Sequence, residues 1–365
     1  MTTEATETKV YRVEDAWEFL ELAYREMWTD GLPLAPPTRD RVQAMIDYVK
    51  RDPNELLGVV PPMWGRATVE KVAIQAVMAG CKPEYFPVVL AALECILTED
   101  DKRHFNIKGI QDTTNAATPL VIVSGPIVEQ LGFHYRENAW GGFSRANGAI
   151  GRTIRLILWN LGGARPGETD MTQQGHPGKY AFCVAENPNA DENPWTPLNV
   201  EWGYPRDQST VTTIATGAPR GVFLSGARMD NLDSALKVLA AALAASNHSS
   251  GQVLVGLSAY TVGFFHSKGY TKEAVRKYLW ENAGHKLSYL AELGLFNPET
   301  GSTSIRDYLP WIDQSNLDSR VPVVEAEENI NIIVTGGTRN PWCVICDGWG
   351  HFGGYAVTRP IKLPN

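Results

Sequence analysis

The sequence predicts an α/β fold in which a helical N-terminal region packs on a mixed β-sheet with flanking helices. Three observations predict it. Residues 1–112 repeat apolar positions at helical spacing between proline breaks, whereas residues 113–365 alternate short β-branched runs with amphipathic helices. With 365 residues, 44% of them hydrophobic, the chain can bury one large or two modest cores, at roughly 150 residues per domain.

The N-terminal region is read as four helices. Ala16, Trp17, Leu20, Leu22 and Ala23 fall at helical spacing within 13–28, and Gly31 and Pro33 end that run. A second helix covers 41–49, behind Pro36-Pro37. A third spans 68–78, with Glu70 in its first turn and Gly80 past its end, after Pro61-Pro62. Cys81 then occupies a corner, because a fourth helix begins at Pro83 and runs to 97.

From residue 113 the texture changes. Leu120-Val-Ile-Val-Ser124, closed by Gly125-Pro126, reads as a buried strand, and the glycine-rich stretch 140–148 leads into a helix over 149–161. Further strands are expected at 180–185, 209–215, 221–224, 252–257, 329–334 and near 355–358. Helices are expected at 230–245 and 271–282, and 187–194 is a loop by its turn residues. A faint echo pairs 120–125 and the following Trp140-Gly-Gly with 331–336 and the following Trp349-Gly, which suggests two related strand–loop halves.

Charge and composition exclude several function classes. Charged residues are 20% of the chain and the net charge is −8, so nothing draws a polyanion or an anionic bilayer by bulk electrostatics. No apolar run reaches the roughly 18 residues needed to span a membrane. The acidic, polar opening lacks the features of a signal peptide, and five sparse cysteines make no disulfide framework. A cytoplasmic protein without nucleic-acid or membrane partners is expected.

The sharpest local motif is Trp342-Cys-Val-Ile-Cys-Asp-Gly-Trp-Gly-His351. Cys343 and Cys346 could form a thiol–disulfide pair, although the four glycines in 347–354 cannot easily supply the helix that activates such a thiol. Alternatively Cys343, Cys346 and His351 could hold a divalent metal such as zinc from a tight loop, leaving one position open. The third reading is a buried pair of free cysteines.

A second cluster spans 145–179. Arg145, Arg152 and Arg165 could bind a carboxylate or phosphate together with Lys179, and His176 could serve as acid or base. Arg155, Glu168 and Asp170 lie in the same stretch, for which a solvated surface loop is the alternative, and Gln111-Asp-Thr-Thr-Asn115 is polar enough to line a pocket, although Asx and Thr runs also simply cap and turn. Cys183 is either a buried small hydrophobe or a nucleophile with His176 as its base. The eleven tryptophans, Trp140, Trp342 and Trp349 among them, suggest an apolar wall opposite the charges.

Stretches 67–85, 163–170 (Gly-Ala-Arg-Pro-Gly-Glu-Thr-Asp) and 175–180 (Gly-His-Pro-Gly-Lys-Tyr) resemble a largely uncharacterised bacterial family associated with UGSC-type thiol and selenocysteine proteins. That resemblance covers most of the chain and implies an enzyme with sulfur chemistry. The functional expectation is an enzyme for a small anionic or polar metabolite, using cysteine or Cys/His-bound metal. The alternative is a non-catalytic subunit of a homo-oligomer or hetero-complex, since tryptophan also favours interfaces.

Overall fold

The computed structural model describes residues 9–99, 104–142, 144–246, 251–300, 312–350 and 353–364. Strand β1 (Leu56–Val60) pairs with β2 (Gly65–Thr68) in a small hairpin. The main sheet takes β3 (Thr118–Ser124), β4 (Cys183–Ala185), β5 (Thr210–Phe223) and β6 (Val253–Leu257). Strands β7 (Gly284–Lys286) and β8 (Arg320–Pro322) form a second small pair. Strands β9 (Ile330–Val334), β10 (Trp342–Gly348) and β11 (Val357–Pro360) complete the main sheet.

The main sheet has the order β4-β3-β5-β10-β6-β9, with β11 added to the first half of β5. β3 is parallel to β4 and antiparallel to β5; β6 is parallel to β9 and antiparallel to β10. The two halves therefore repeat one scheme: a strand, a helical crossover to a parallel neighbour, and an antiparallel strand at the centre. In this scheme β3 corresponds to β6 and β4 to β9. The echo in the sequence aligned β3 with β9 instead, because it compared short apolar runs and not their places in the sheet.

Burial follows the same division. Helices Phe86–Ile96 and Arg145–Asn160 cover the outer face of β3, β4 and β5, and helix Val69–Met78 packs against both of them; Val72, Phe86 and Ile154 share one core with Val121, Val123 and Val211. Helices Leu232–Ala244, Ala259–Ser267 and Lys272–Asn282 cover the outer face of β6, β9 and β10. The sheet curls so that its inner face packs on itself: Leu120, Ile122, Val184 and Ile214 meet Leu254, Ile333 and Cys346. The Asn187 N–H donates to Val334 O at 2.7 Å, which brings the chain beyond β4 against the end of β9.

Several expected elements change. Stretches 209–215 and 221–224 are one fourteen-residue strand, β5, which pairs with β3 and β11 along its first half and with β10 along its second. Stretch 342–348 is the central strand β10 and not part of a glycine-rich loop, because Trp-Cys-Val-Ile-Cys suits a strand buried on both faces. The hairpin β1–β2 and helix Ala259–Ser267 had no place in the sequence reading. Among the described residues, no helix is long and apolar enough to cross a membrane.

Candidate functional site

The helix Arg145–Asn160 sets one side of the site. Ser144 caps it by accepting from the Ala146 N–H, and its apolar face is buried, so its cations project along the opposite edge. The expected anion-binding arginines separate along this helix. Arg145 turns away and donates to Gly80 O at 2.8 Å. Arg152 is also no ligand group: its guanidinium donates to both oxygens of Asp30, at 2.7 and 3.3 Å, and to Leu32 O and Pro33 O at 2.9 and 2.6 Å. With these bonds Arg152 pins the segment after the first helix, and no free fork remains for a substrate. Arg155 does reach the site; it lies over the Trp159 ring and 3.9 Å from Asp170.

Loop 163–180 forms the other side. The Arg165 carbonyl accepts from the N–H groups of Glu168, Thr169 and Asp170, a tight turn that presents the buried Asp170 carboxylate inward. Lys179 donates to both Asp170 oxygens, at 2.9 and 2.8 Å, and to Thr172 Oγ1 at 2.6 Å. Burial raises the Asp170 pKa, but the hydrogen bonds from Lys179 and Thr172 outweigh it and the net shift is downward. The Lys179 pKa is also lowered, by burial first and by the Arg155 charge, with Asp170 opposing.

The same loop is tied to the Gln111–Asn115 run. The Gln173 N–H donates to Thr114 O at 3.0 Å, and Thr172 Oγ1 donates to Asn115 O at 3.2 Å. His176 follows at once, capping the turn Pro177–Lys179: its Nδ1 accepts from the Gly178 N–H at 3.1 Å, and its ring stands edge-on to Phe182. Burial, and then the Lys179 charge, lowers its pKa; the nearby Thr216 and Ala116 carbonyls only partly oppose this.

Three side-chain nitrogens on these two segments are buried without a hydrogen-bond partner among the described residues: Gln111 Nε2, Arg165 Nε and His176 Nε2. The Ala116 and Thr216 carbonyls influence the His176 ring, yet neither meets Nε2 with normal hydrogen-bond geometry. Gln111 and Arg165 present N–H groups, and with Nδ1 of His176 occupied, so does the imidazole. Each unpaired buried donor costs about 1–3 kcal/mol.

The sulfur groups lie elsewhere. Cys343 packs with Leu257 and Val334 under the C-terminal helices, whereas Cys346 packs with Leu120 and Ile214 inside the curled sheet. Side chains three apart on a strand face opposite ways, so β10 prevents these thiols from converging on one metal or forming a disulfide with each other. Burial pushes the Cys343 thiol up to about 12 and raises Cys346 as well, so neither supplies a thiolate near neutral pH. His351 lies outside the described residues. Among the described residues, no three His, Cys, Asp or Glu side chains group as metal ligands. Cys183 takes the buried reading, packed beneath Gly151 of the helix Arg145–Asn160.

The tryptophans do not form one wall. Trp140 lies across Gly256 of β6 and near Phe182, Trp349 packs on Gly109 and Gly354, and Trp342 is exposed at the start of β10. The sequence reading missed a buried charge network at the opposite end of the sheet. Lys272 donates to Glu201 and to Thr196 O, Arg276 donates to the other Glu201 oxygen, and the fully buried Glu186 accepts from the Leu198 N–H at 2.8 Å. No local pattern marked Glu186, which directly follows β4 and precedes a polar loop. The chain matches no family model, and no curated protein is similar to it.

Proposed function

We propose that this chain is a cytoplasmic enzyme that binds a small anionic or acceptor-rich metabolite between Gln111–Asn115 and loop 163–180. The observation that carries the reading is the set of three buried donors, Gln111 Nε2, Arg165 Nε and His176 Nε2, none of which makes a hydrogen bond of normal geometry among the described residues. A ligand complementary to such a set brings oxygens. The charges around it are balanced, Arg155, Arg165 and Lys179 against Asp112, Glu168 and Asp170, so the choice rests on the donors, whose hydrogen bonds to a carboxylate or phosphate are charge-assisted. Hydrogen-bonding chemistry around His176 replaces the expected thiolate or zinc chemistry of Cys343, Cys346 and His351, because β10 separates the two thiols.

The test is thermal unfolding with a panel of small carboxylates and inorganic phosphate, comparing wild type with Arg165→Ala and Gln111→Ala. Stabilisation by at least one anion, reduced in both variants, is the expected result. Equal shifts in all three proteins would sink the reading.

A non-catalytic assembly subunit is the second reading. It is favoured by the exposed apolar side chains of Trp17, Met63 and Trp64, which are 74%, 67% and 52% exposed. Light scattering on the eluting protein tests its homo-oligomeric form: a monomer leaves no homo-oligomer for those groups to serve, whereas an oligomer is compatible with both readings.

A further inference from the structure

His176 is built into its turn in a way that fixes where its proton sits. Its Nδ1 accepts the Gly178 N–H at 3.1 Å, and an imidazole nitrogen that accepts a hydrogen bond carries no proton. In the neutral ring the proton is therefore on Nε2. We infer that His176 acts as a neutral imidazole whose Nε2–H donates to a carbonyl or carboxylate oxygen of the ligand, and not as a base that removes a proton. This rests on the ligand site proposed above and assigns one of its three donors a role.

Three features support the assignment. A Cβ at Gly178 would lie 2.6 Å from His176 Cε1 and 2.8 Å from Nδ1, so the turn approaches the ring as closely as only glycine permits. Phe182 stands edge-on to the same ring at 5.5 Å and restricts its rotation. Protonation would place the ring's second N–H hydrogen on Nδ1, directed at the Gly178 N–H, and so break the cap. Burial and the Lys179 charge act in the same direction and outweigh the Thr216 and Ala116 carbonyls, which oppose them. A base would instead have to present a lone pair at Nε2, which requires the other tautomer and the same loss of the cap. The remaining unpaired groups, Arg165 Nε and Gln111 Nε2, are donors as well, so the three are complementary to oxygens alone.

The test is long-range proton–nitrogen correlation NMR on the full chain with labelled histidine, the His176 signals being assigned by their loss in His176→Asn. Seven histidines keep such a spectrum tractable. A neutral ring protonated at Nε2 and bare at Nδ1 is expected at pH 7, persisting below the ordinary histidine range. A ring protonated at Nδ1, or cationic at pH 7, overturns the inference whether or not any anion binds.

Oxalate titration by calorimetry provides the second arm. His176→Phe should bind oxalate about tenfold more weakly than wild type. His176→Asn retains an oxygen to cap Gly178 and so tests the same loss in a folded protein, because its amide is too short to place a donor at the Nε2 position. Unchanged affinity in both variants overturns the donor role. If wild type does not bind oxalate, it is the site reading that fails for this class of anion, and the tautomer still decides how His176 is held.

Discussion

Lys179 grips both carboxylate oxygens of Asp170, at 2.9 and 2.8 Å, and its third bond goes to Thr172, which in turn donates to the main chain at Asn115. This ion pair is the joint between the two segments of the candidate site. Removing one partner strands the other in a largely buried position. Asp170→Ala should therefore destabilise the protein by about 3–5 kcal/mol, measured by urea unfolding.

The same pair predicts an acid dependence. The folded-state pKa of Asp170 lies below the ordinary carboxylate value, so its stabilisation is complete above that value and is lost as pH falls through the folded pKa. Unfolding midpoints of wild type and Asp170→Asn, measured from pH 6 to pH 2, should converge at the acid end. Parallel curves would mean that the carboxylate is not held in its charged form.

Glu186 has the opposite sign. Burial raises its pKa, so folding is least burdened below the ordinary carboxylate range, and stability declines as pH rises through the folded pKa. Glu186→Gln keeps an oxygen for the Leu198 N–H and removes the ionisation. It should gain on the order of 1 kcal/mol over wild type at pH 8 and nothing at pH 4, read from denaturant midpoints at both pH values.

Arg152 is a staple and not a ligand group. Arg152→Lys retains the charge but cannot make two bonds to Asp30 while also reaching Leu32 O and Pro33 O. Hydrogen exchange should accelerate in the segment around Asp30–Leu34, with the affinity for site anions unchanged. An altered anion affinity without faster exchange would return Arg152 to the binding site.

The five cysteines are all buried, and the Cys343 thiol is pushed up to about 12. Iodoacetamide at pH 8 should leave the native protein unmodified by intact mass and label five thiols after denaturation. Rapid native labelling of Cys343 or Cys346 would revive the thiol chemistry that the family resemblance implies.

Local patterns made much of this molecule legible in one dimension. The run from Leu120 to Ser124 is β-branched and closed by Gly-Pro, and it became β3; the Ala- and Leu-rich stretch near 236–243 became a helix; the glycines and prolines around Arg165 and His176 marked stiff loops. These signals survive because they depend on backbone preference and on the spacing of apolar side chains within a single element. The same spacing failed at Cys343 and Cys346, where proximity in sequence suggested a shared site although alternation along a strand sends the two side chains to opposite faces.

By itself, then, the sequence determined the α/β class and the order of most helices and strands, since each of these is set by neighbours along the chain. Only the tertiary structure decided that Arg152 binds Asp30 across 122 positions, that Lys179 is held by Asp170, and that His176 presents Nε2 and not Nδ1. The role of an ionisable side chain depends on which donors, acceptors and charges surround it. Those surroundings are assembled by packing between distant segments, and no local pattern encodes them.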